Sequence, residues 1–131
     1  MSHIDDAIES ARSKLDRADP AEAQRLQADG ALIVDIRPHA NRAEEGEIPG
    51  AIPIERIHLE WRLDPTSDWK IPQANPDAPV IVVCNEGYAS SLAAADLQRL
   101  GLPHATDLIG GYRAWKSSGL PTTPGGTPAI P

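Results

Sequence analysis

The sequence contains a single cysteine, Cys84, so the chain cannot form an internal disulfide. A lone free thiol is typical of proteins in a reducing compartment, and this predicts a cytoplasmic location. Basic residues are also in short supply: 12 lysines and arginines stand against 19 aspartates and glutamates, giving a net charge of −7. This excess of negative charge argues against nucleic acid or an anionic membrane as a partner.

Long apolar runs are missing as well. No stretch approaches the roughly 20 apolar residues that cross a bilayer, and the N-terminus lacks the basic-then-apolar pattern of a secretory signal. The four histidines are not spaced like metal ligands, so we expect no metal and no organic cofactor. With 131 residues the chain has the size of one domain.

The most informative stretch surrounds the cysteine. Residues 80–83 are all β-branched, which is typical of a short strand buried on both faces. Apolar residues then recur at helical spacing over residues 90–100. Between the two, Gly87 gives the backbone the freedom to turn sharply. The sequence therefore places Cys84 in a tight turn between a buried strand and a helix.

A cysteine in such a turn is well placed for chemistry. Successive N–H groups of the turn and of the following helix N-terminus form a cradle for negative charge. Such a cradle favours a thiolate, and it would equally stabilise a persulfide anion. A lone cysteine is more often an inert buried residue, but the order strand, cysteine, glycine turn and helix favours a reactive thiol here.

A second buried strand is predicted over residues 31–36, and it ends at Asp35-Ile36-Arg37. Taken alone, Asp35 could cap a turn while Arg37 stays solvated. Open parallel sheets, however, bind ligands beyond the carboxyl ends of their strands. Because Asp35 and Cys84 both end such strands, we expect them to face the same crevice.

The remaining elements alternate along the chain. Helices are predicted over residues 4–17, 20–28, 38–45 and 111–119, with a last strand over residues 103–109. Residues 54–69 fit either a short helix or an extended segment at the rim. The proline- and glycine-rich end predicts a flexible tail. Strands that alternate with helices predict an α/β domain with a parallel sheet.

Three motifs resemble those of the rhodanese family, sulfurtransferases that carry sulfane sulfur on a loop cysteine. Cys84-Asn85-Glu86-Gly87-Tyr88-Ala89-Ser90 is similar to the family's active-site loop, usually Cys-x-x-Gly-x-Arg. Asp35 and Arg37 match its Asp-x-Arg motif. Residues 46–51 resemble its Gly-His-Ile-Pro-Gly-Ala motif, with Glu47 in place of the histidine.

The resemblance implies a rhodanese-like three-layer α/β domain over residues 20–121, with a central parallel sheet of about five short strands and helices on both faces. A helical N-terminal extension (residues 1–19) and a flexible tail (122–131) lie outside it. Cys84 is the implied catalytic residue. The implied anion-binding loop is Asn85, Glu86, Gly87, Tyr88, Ala89 and Ser90, and the residues expected to shape the site are Asp35, Arg37 and Arg42.

The implied activity is the transfer of sulfane sulfur through a Cys84 persulfide to a thiol or a cyanide-type acceptor. Its partners are a small sulfur-containing donor and acceptor, or proteins in a persulfide relay. Two departures from the family matter: Ala89 stands where the loop usually ends in arginine, and Glu86 adds negative charge. We therefore expect thiosulfate to be a poor donor and a persulfide to be preferred.

Two other classes of function stay open at this point. The fold could serve as a non-enzymatic module that senses sulfur or binds a protein partner. A tyrosine phosphatase or an arsenate reductase would need an arginine six residues after the cysteine, and Ser90 occupies that position. The loop is also of the short form, which suits a phosphate less well.

Overall fold

The structure, a computed structural model, describes residues 2–131. These residues form six α-helices and four β-strands in the order α1 (His3–Arg12), α2 (Pro20–Ala28), β1 (Leu32–Asp35), α3 (His39–Glu45), β2 (Ile52–Pro53), α4 (Leu59–Leu63), β3 (Val80–Val83), α5 (Ala89–Arg99), β4 (Ala105–Asp107) and α6 (Gly111–Ser117). A 3₁₀ turn over Arg56–His58 leads into α4.

The strands form one parallel sheet in the order β2-β1-β3-β4. The predicted α/β class with a parallel sheet is therefore confirmed, although the sheet has four strands where about five were expected. A fifth strand is reduced to a single parallel bridge between Ala18 and Leu108, beside β4. Because α2 already begins at Pro20, this segment is too short to pair further.

The alternating side chains of β3 divide the core into two layers. Val80 and Val82 pack in the layer that includes α4 and α5, whereas Ile81 and Val83 pack in the layer of α2 and α6. None of the four is more than 1% exposed. Burial of each such side chain stabilises the fold by about 1.5–3 kcal/mol. The strand that ends at the cysteine is thus held firmly on both faces.

Helix α1 is shorter than predicted, since it ends at Arg12 rather than at residue 17. Its buried residues, Ile8 and Ala11, lie on the face that packs against α5. The chain leaves the helix because the backbone N–H of Ala18 donates to the carbonyl of Asp107, which draws the segment towards β4. Helical spacing in the sequence carried no information about this distant strand.

The segment before β3 is helical at its centre. Leu59 and Leu63 of α4 are fully buried, while Trp61 on the opposite side is exposed. Of the two readings left open by the sequence, the short helix is the one observed. Across residues 2–131, no helix has both the length and the apolar character needed to cross a membrane.

The C-terminal segment makes hydrogen bonds to the rest of the fold. Thr123 forms an antiparallel bridge with Glu47, and the N–H of Ile130 donates to the carbonyl of Pro53 at 2.9 Å. Composition predicted a flexible tail here, whereas the structure lays the segment along the domain. The division at residue 121 itself stays a prediction.

Glu47, which replaces the family's histidine, joins this tail to the domain. Its Oε2 accepts a hydrogen bond from Nη1 of the fully buried Arg42 at 2.8 Å, and its Oε1 accepts one from Oγ1 of Thr127 at 2.6 Å. Burial alone would raise the pKa of Glu47, but the bonds from Thr127 and Arg42 outweigh it and hold the pKa below its ordinary value. Glu47 is therefore ionised in the fold.

Replacing the carboxylate by an amide, Glu47→Gln, should lower the free energy of unfolding at pH 7 by about 3 kcal/mol, because it leaves the Arg42 charge buried without a counter-ion. Since the folded pKa is depressed, the contribution is complete above the unfolded pKa of about 4.3 and is lost as the pH falls through the folded value. Urea unfolding from pH 7 to pH 3 measures it.

The matched control is Glu9→Gln on the exposed face of α1, which should change stability little at any pH. The difference between wild type and Glu47→Gln should shrink as the solution is made acidic. A difference that stays constant to pH 3 would contradict a role for the ionised carboxylate.

Candidate active site

Cys84 directly follows β3, and its residue is 8% exposed. Its sulfur accepts two backbone hydrogen bonds, from the N–H of Gly87 at 3.2 Å and from the N–H of Ser90 at 3.4 Å. Ser90 lies in the first turn of α5, where backbone N–H groups point out of the helix end. The sulfur is therefore surrounded by donors that stabilise negative charge.

The carbonyls on the other side of this loop are held by the start of α6. The carbonyl of Cys84 accepts from the N–H of Tyr112 at 2.8 Å, and that of Asn85 accepts from the N–H of Arg113 at 3.2 Å. In a planar trans peptide the N–H points away from the carbonyl. Fixing the carbonyls towards α6 thus turns the following N–H groups to the opposite side of the loop.

Two glycine positions permit this close approach. Gly87 has φ of +85°, and a Cβ there would lie 2.8 Å from the nitrogen of Gly110 and 3.1 Å from the carbonyl oxygen of Leu108. At Gly111 a Cβ would lie 2.5 Å from the backbone of Asn85. Side chains at these positions would push the cysteine loop away from α6.

A buried carboxylate fixes the beginning of α5. Oδ2 of Asp107, the last residue of β4, accepts hydrogen bonds from the hydroxyls of Ser90 and Ser91, both at 2.7 Å. Arg17 pairs with the same carboxylate at 2.8 Å. Asp107 was not among the site residues predicted from the sequence, although an acidic residue at the carboxyl end of a parallel strand is itself an indication of a ligand site.

Asp35 and Arg37 form a buried ion pair beside the site. Nη2 of Arg37 lies 2.6 Å from Oδ2 of Asp35 and also donates to the carbonyl of Gly46 at 2.8 Å. The guanidinium stacks on the ring of Tyr112 at 4.0 Å from its centroid. The structure thus places both predicted residues at the end of β1, with Arg37 in the wall of the cysteine cavity.

A cavity of about 390 Å³ opens above the sulfur. Its wall consists of residues 84–86, 88 and 89 from the loop, residues 36–38 after β1, and Arg56. Arg56, which sequence analysis did not single out, forms ion pairs with Glu60 at 2.8 Å and Asp96 at 2.9 Å. Its positive charge is therefore balanced within the protein.

Arg42, by contrast, is not part of the cavity wall. It binds Glu47 and the tail, and its Nε donates to the carbonyl of Arg37 at 3.3 Å. Arg42 therefore stabilises the backbone of Arg37 without reaching the cavity. Arg42 was expected to shape the site, but the sequence could not show that the tail would take up its guanidinium.

The charges at the mouth of the loop are the ones that the sequence indicated. Ala89 is exposed at the start of α5 and supplies no cation, while the side chain of Glu86 is 62% exposed. Arg113 lies 3.6 Å from Glu86 but hydrogen-bonds to Glu45, and that bond lowers the pKa of Glu45. Negative charge at the mouth is thus only partly balanced.

This geometry agrees with the comparisons to known proteins. Residues 19–118 match the family described as "Rhodanese-like domain", and the chain belongs to that family. It is 36% identical over 106 residues to the thiosulfate sulfurtransferase GlpE of Pseudomonas fluorescens (strain SBW25), covering 81% of this chain and 89% of the relative. The GlpE protein of Pseudomonas entomophila (strain L48) is 38% identical over 107 residues. The chain is a sulfurtransferase of the rhodanese type.

Solved structures give the same fold. A protein of unknown function from Rhodopseudomonas palustris CGA009, described as a possible tyrosine phosphatase, superposes with a TM-score of 0.83 at 31% identity over 93% of this chain and 95% of that one. A thiosulfate sulfurtransferase from Pseudomonas aeruginosa gives a TM-score of 0.68 at 27% identity, over 86% of this chain and 20% of that one.

The close approach at Gly87 can be tested with Gly87→Ala. The added Cβ meets backbone atoms of the segment before α6, so we expect sulfur transfer to fall more than tenfold as the loop N–H groups move away from the sulfur. Activity and urea unfolding should be measured together.

Gly30→Ala is the matched control, because Gly30 also has a positive φ, +104°, but nothing lies within 4 Å of its Cβ position. It should cost about 1 kcal/mol of stability and leave activity unchanged. Equal activity of the two alanine variants would contradict the role of the close contact.

Proposed function

We propose that Cys84 carries sulfane sulfur as a persulfide between a donor and a thiol or cyanide-type acceptor. The observation that supports this most directly is the pair of N–H groups, from Gly87 and Ser90, that contact Sγ at the end of a rigid strand. The same donors that stabilise a thiolate serve a persulfide anion, which has its negative charge one sulfur further into the cavity.

In the first step the Cys84 thiolate attacks the outer sulfur of the donor. A new S–S bond forms on Sγ while the donor's own bond to that sulfur breaks. The electron pair of the broken bond leaves with the carrier, as a thiolate from an organic persulfide or as sulfite from thiosulfate. The enzyme is left as the Cys84 persulfide, and no external oxidant or reductant is needed.

In the second step an acceptor thiolate attacks the terminal sulfur of the persulfide. The S–S bond to Cys84 breaks, its electron pair returns to Sγ, and the acceptor leaves as a new persulfide. Cyanide takes the sulfur in the same way and leaves as thiocyanate. The loop supports both steps because its N–H groups stabilise the leaving Cys84 thiolate as well as the attacking one.

We propose that the preferred donor is a low-molecular-weight or protein persulfide rather than thiosulfate. Thiosulfate brings two negative charges to a mouth where Glu86 is already negative and Ala89 offers no cation. The two cations in the wall, Arg37 and Arg56, are both paired with carboxylates of the protein. The persulfide of an uncharged carrier brings at most one negative charge, and the cavity of about 390 Å³ has room for part of that carrier.

The acceptor, the location and the domain division are part of the same proposal. An open cavity suits a thiol on a small molecule or on a protein in a relay. A cytoplasmic location follows from the single cysteine. The division into an extension (1–19), a catalytic domain (20–121) and a tail (122–131) follows the motifs.

Phosphate-ester hydrolysis gains no support, because the position that needs arginine holds Ser90, whose N–H binds the sulfur.

Intact mass spectrometry tests the carrier. Wild type and Cys84→Ser are incubated without reductant, in parallel, with thiosulfate and with glutathione persulfide. We expect wild type to gain the mass of one sulfur and Cys84→Ser to gain none. A folded wild type that gains no mass from either donor would contradict the proposal and favour the non-enzymatic module.

Donor preference is tested by restoring the family's arginine with Ala89→Arg. A charge-assisted hydrogen bond is worth about 1.5–3 kcal/mol, so kcat/KM for thiosulfate should rise about tenfold or more. The persulfide of an uncharged alkyl thiol should gain less, and steady-state kinetics with both donors measures the ratio.

The control is Ala21→Arg, which adds the same charge on the exposed side of α2. It should change neither donor's kinetics. Wild-type turnover of thiosulfate equal to that of the persulfide would overturn the proposed preference.

A further inference from the structure

The N-terminal extension contacts the cysteine loop although most of it precedes the residues that match the family. We propose that Arg12 and Arg17 of this extension are positioning residues, which hold the peptide between Gly87 and Tyr88 for sulfur transfer, and that Arg12 supplies behind the loop the positive charge that Ala89 omits. This inference rests on the proposed persulfide function of Cys84, and it assigns a role to a segment outside the family's motifs.

The carbonyl of Gly87 is the point of contact. Nη2 of Arg12 donates to it at 2.7 Å, Nη2 of Arg17 donates at 3.0 Å, and the hydroxyl of Ser91 lies at 3.4 Å. A carbonyl oxygen has two lone pairs, and here two guanidinium groups occupy them. Charge-assisted bonds of this kind are about twice as strong as neutral ones.

Because the peptide is planar, holding its carbonyl oxygen in place also fixes the direction of its N–H. With the Gly87 carbonyl held towards the arginines, the N–H of Tyr88 points away from them. The N–H of Gly87 donates to Sγ of Cys84 on its own side of the loop. The two guanidinium groups also polarise this peptide, which makes the N–H of Tyr88 a stronger donor on the side of the loop away from the arginines. The arginines thus act on the sulfur indirectly, by fixing Gly87, whose own N–H contacts Sγ.

Each arginine is itself fixed in place. Nε of Arg12 donates to the hydroxyl of Ser91 at 3.1 Å, and its guanidinium lies over the Tyr88 ring at 5.3 Å from the centroid. The backbone of Arg12 is carried by α1, which packs against α5. Arginine at this position therefore joins the extension to both sides of the loop.

Arg17 connects the same carbonyl to the buried carboxylate of Asp107. Its Nε and Nη2 bind the two carboxylate oxygens at 2.8 and 3.1 Å. Asp107 in turn holds the hydroxyl of Ser90, whose N–H is the second donor to the sulfur. Both donors to Sγ, from Gly87 and from Ser90, thus belong to one network that the extension completes.

Within residues 2–131, the other arginines near the loop have other partners, as Arg56 has in Glu60 and Asp96. Arg37 binds Asp35 and Gly46, and Arg42 binds Glu47 and the tail. Nε of Arg113 donates a hydrogen bond to the carboxylate of Glu45. The charge that a loop arginine would bring comes instead from the opposite side of the peptide backbone.

The test compares Arg12→Ala and Arg12→Lys in the full chain with Arg25→Ala, which removes an arginine that is exposed on α2 and distant from the loop. We expect Arg12→Ala to lower kcat about tenfold for thiosulfate and for glutathione persulfide alike, since the lost bond serves the enzyme-bound sulfur common to both. KM should change less than about twofold. Arg12→Lys should recover part of kcat, and Arg25→Ala should match wild type.

Hydrogen exchange gives a readout of loop position that is independent of activity. The amides of Gly87 and Ser90 should exchange at least about tenfold faster in Arg12→Ala while amides of β3 keep their protection. Arg17→Lys, which retains charge near Asp107, should show the same pattern more weakly.

Unchanged kcat and exchange in Arg12→Ala, with wild type forming the Cys84 persulfide, would overturn this inference and leave the proposed function standing. A lower kcat accompanied by faster exchange throughout β3 would also overturn it, because the arginine would then only stabilise the fold. Wild type that forms no persulfide would instead reject the function itself.

Discussion

A planar trans peptide cannot turn its carbonyl and its N–H to the same side, and the cysteine loop is built on this constraint. Outward partners hold the carbonyls of Cys84, Asn85 and Gly87. The N–H groups of these same peptides then face the other side of the loop, and the sulfur itself is contacted by the backbone N–H groups of Gly87 and Ser90. The shape of the loop therefore depends on residues of α6 and of the N-terminal extension that do not line the cavity.

Buried charge around the site is balanced in pairs. Three arginine–carboxylate pairs with buried carboxylates lie under or beside the loop: Arg37 with Asp35, Arg17 with Asp107, and Arg42 with Glu47. An unpaired charge at such depth would cost several kcal/mol. Because these pairs cancel, the negative charge of a thiolate or a persulfide is met mainly by backbone N–H groups, which suit sulfur in either state.

Local patterns in the sequence predicted the centre of the site. The β-branched strand, Cys84 and the turn at Gly87 lie within a few residues of one another, so periodicity and turn chemistry describe them. Arg12 could not be found in this way, because its partner Gly87 is 75 residues away and helical spacing does not say what the polar face of α1 will contact. Composition likewise gave no sign of the contacts of the tail, since it could not foresee that Thr127 would meet the buried Glu47.

The outward partners of the loop also lie on both sides of it along the chain, at residues 12–17 and 107–113. During synthesis a ribosome releases the cysteine well before β4 and α6 have followed. Until those later residues dock, the carbonyls of Cys84 and Asn85 lack their partners in α6. With this arrangement the sulfur proposed as the carrier has its complete set of supports only when the whole domain has folded, and an unfinished or misfolded copy lacks them.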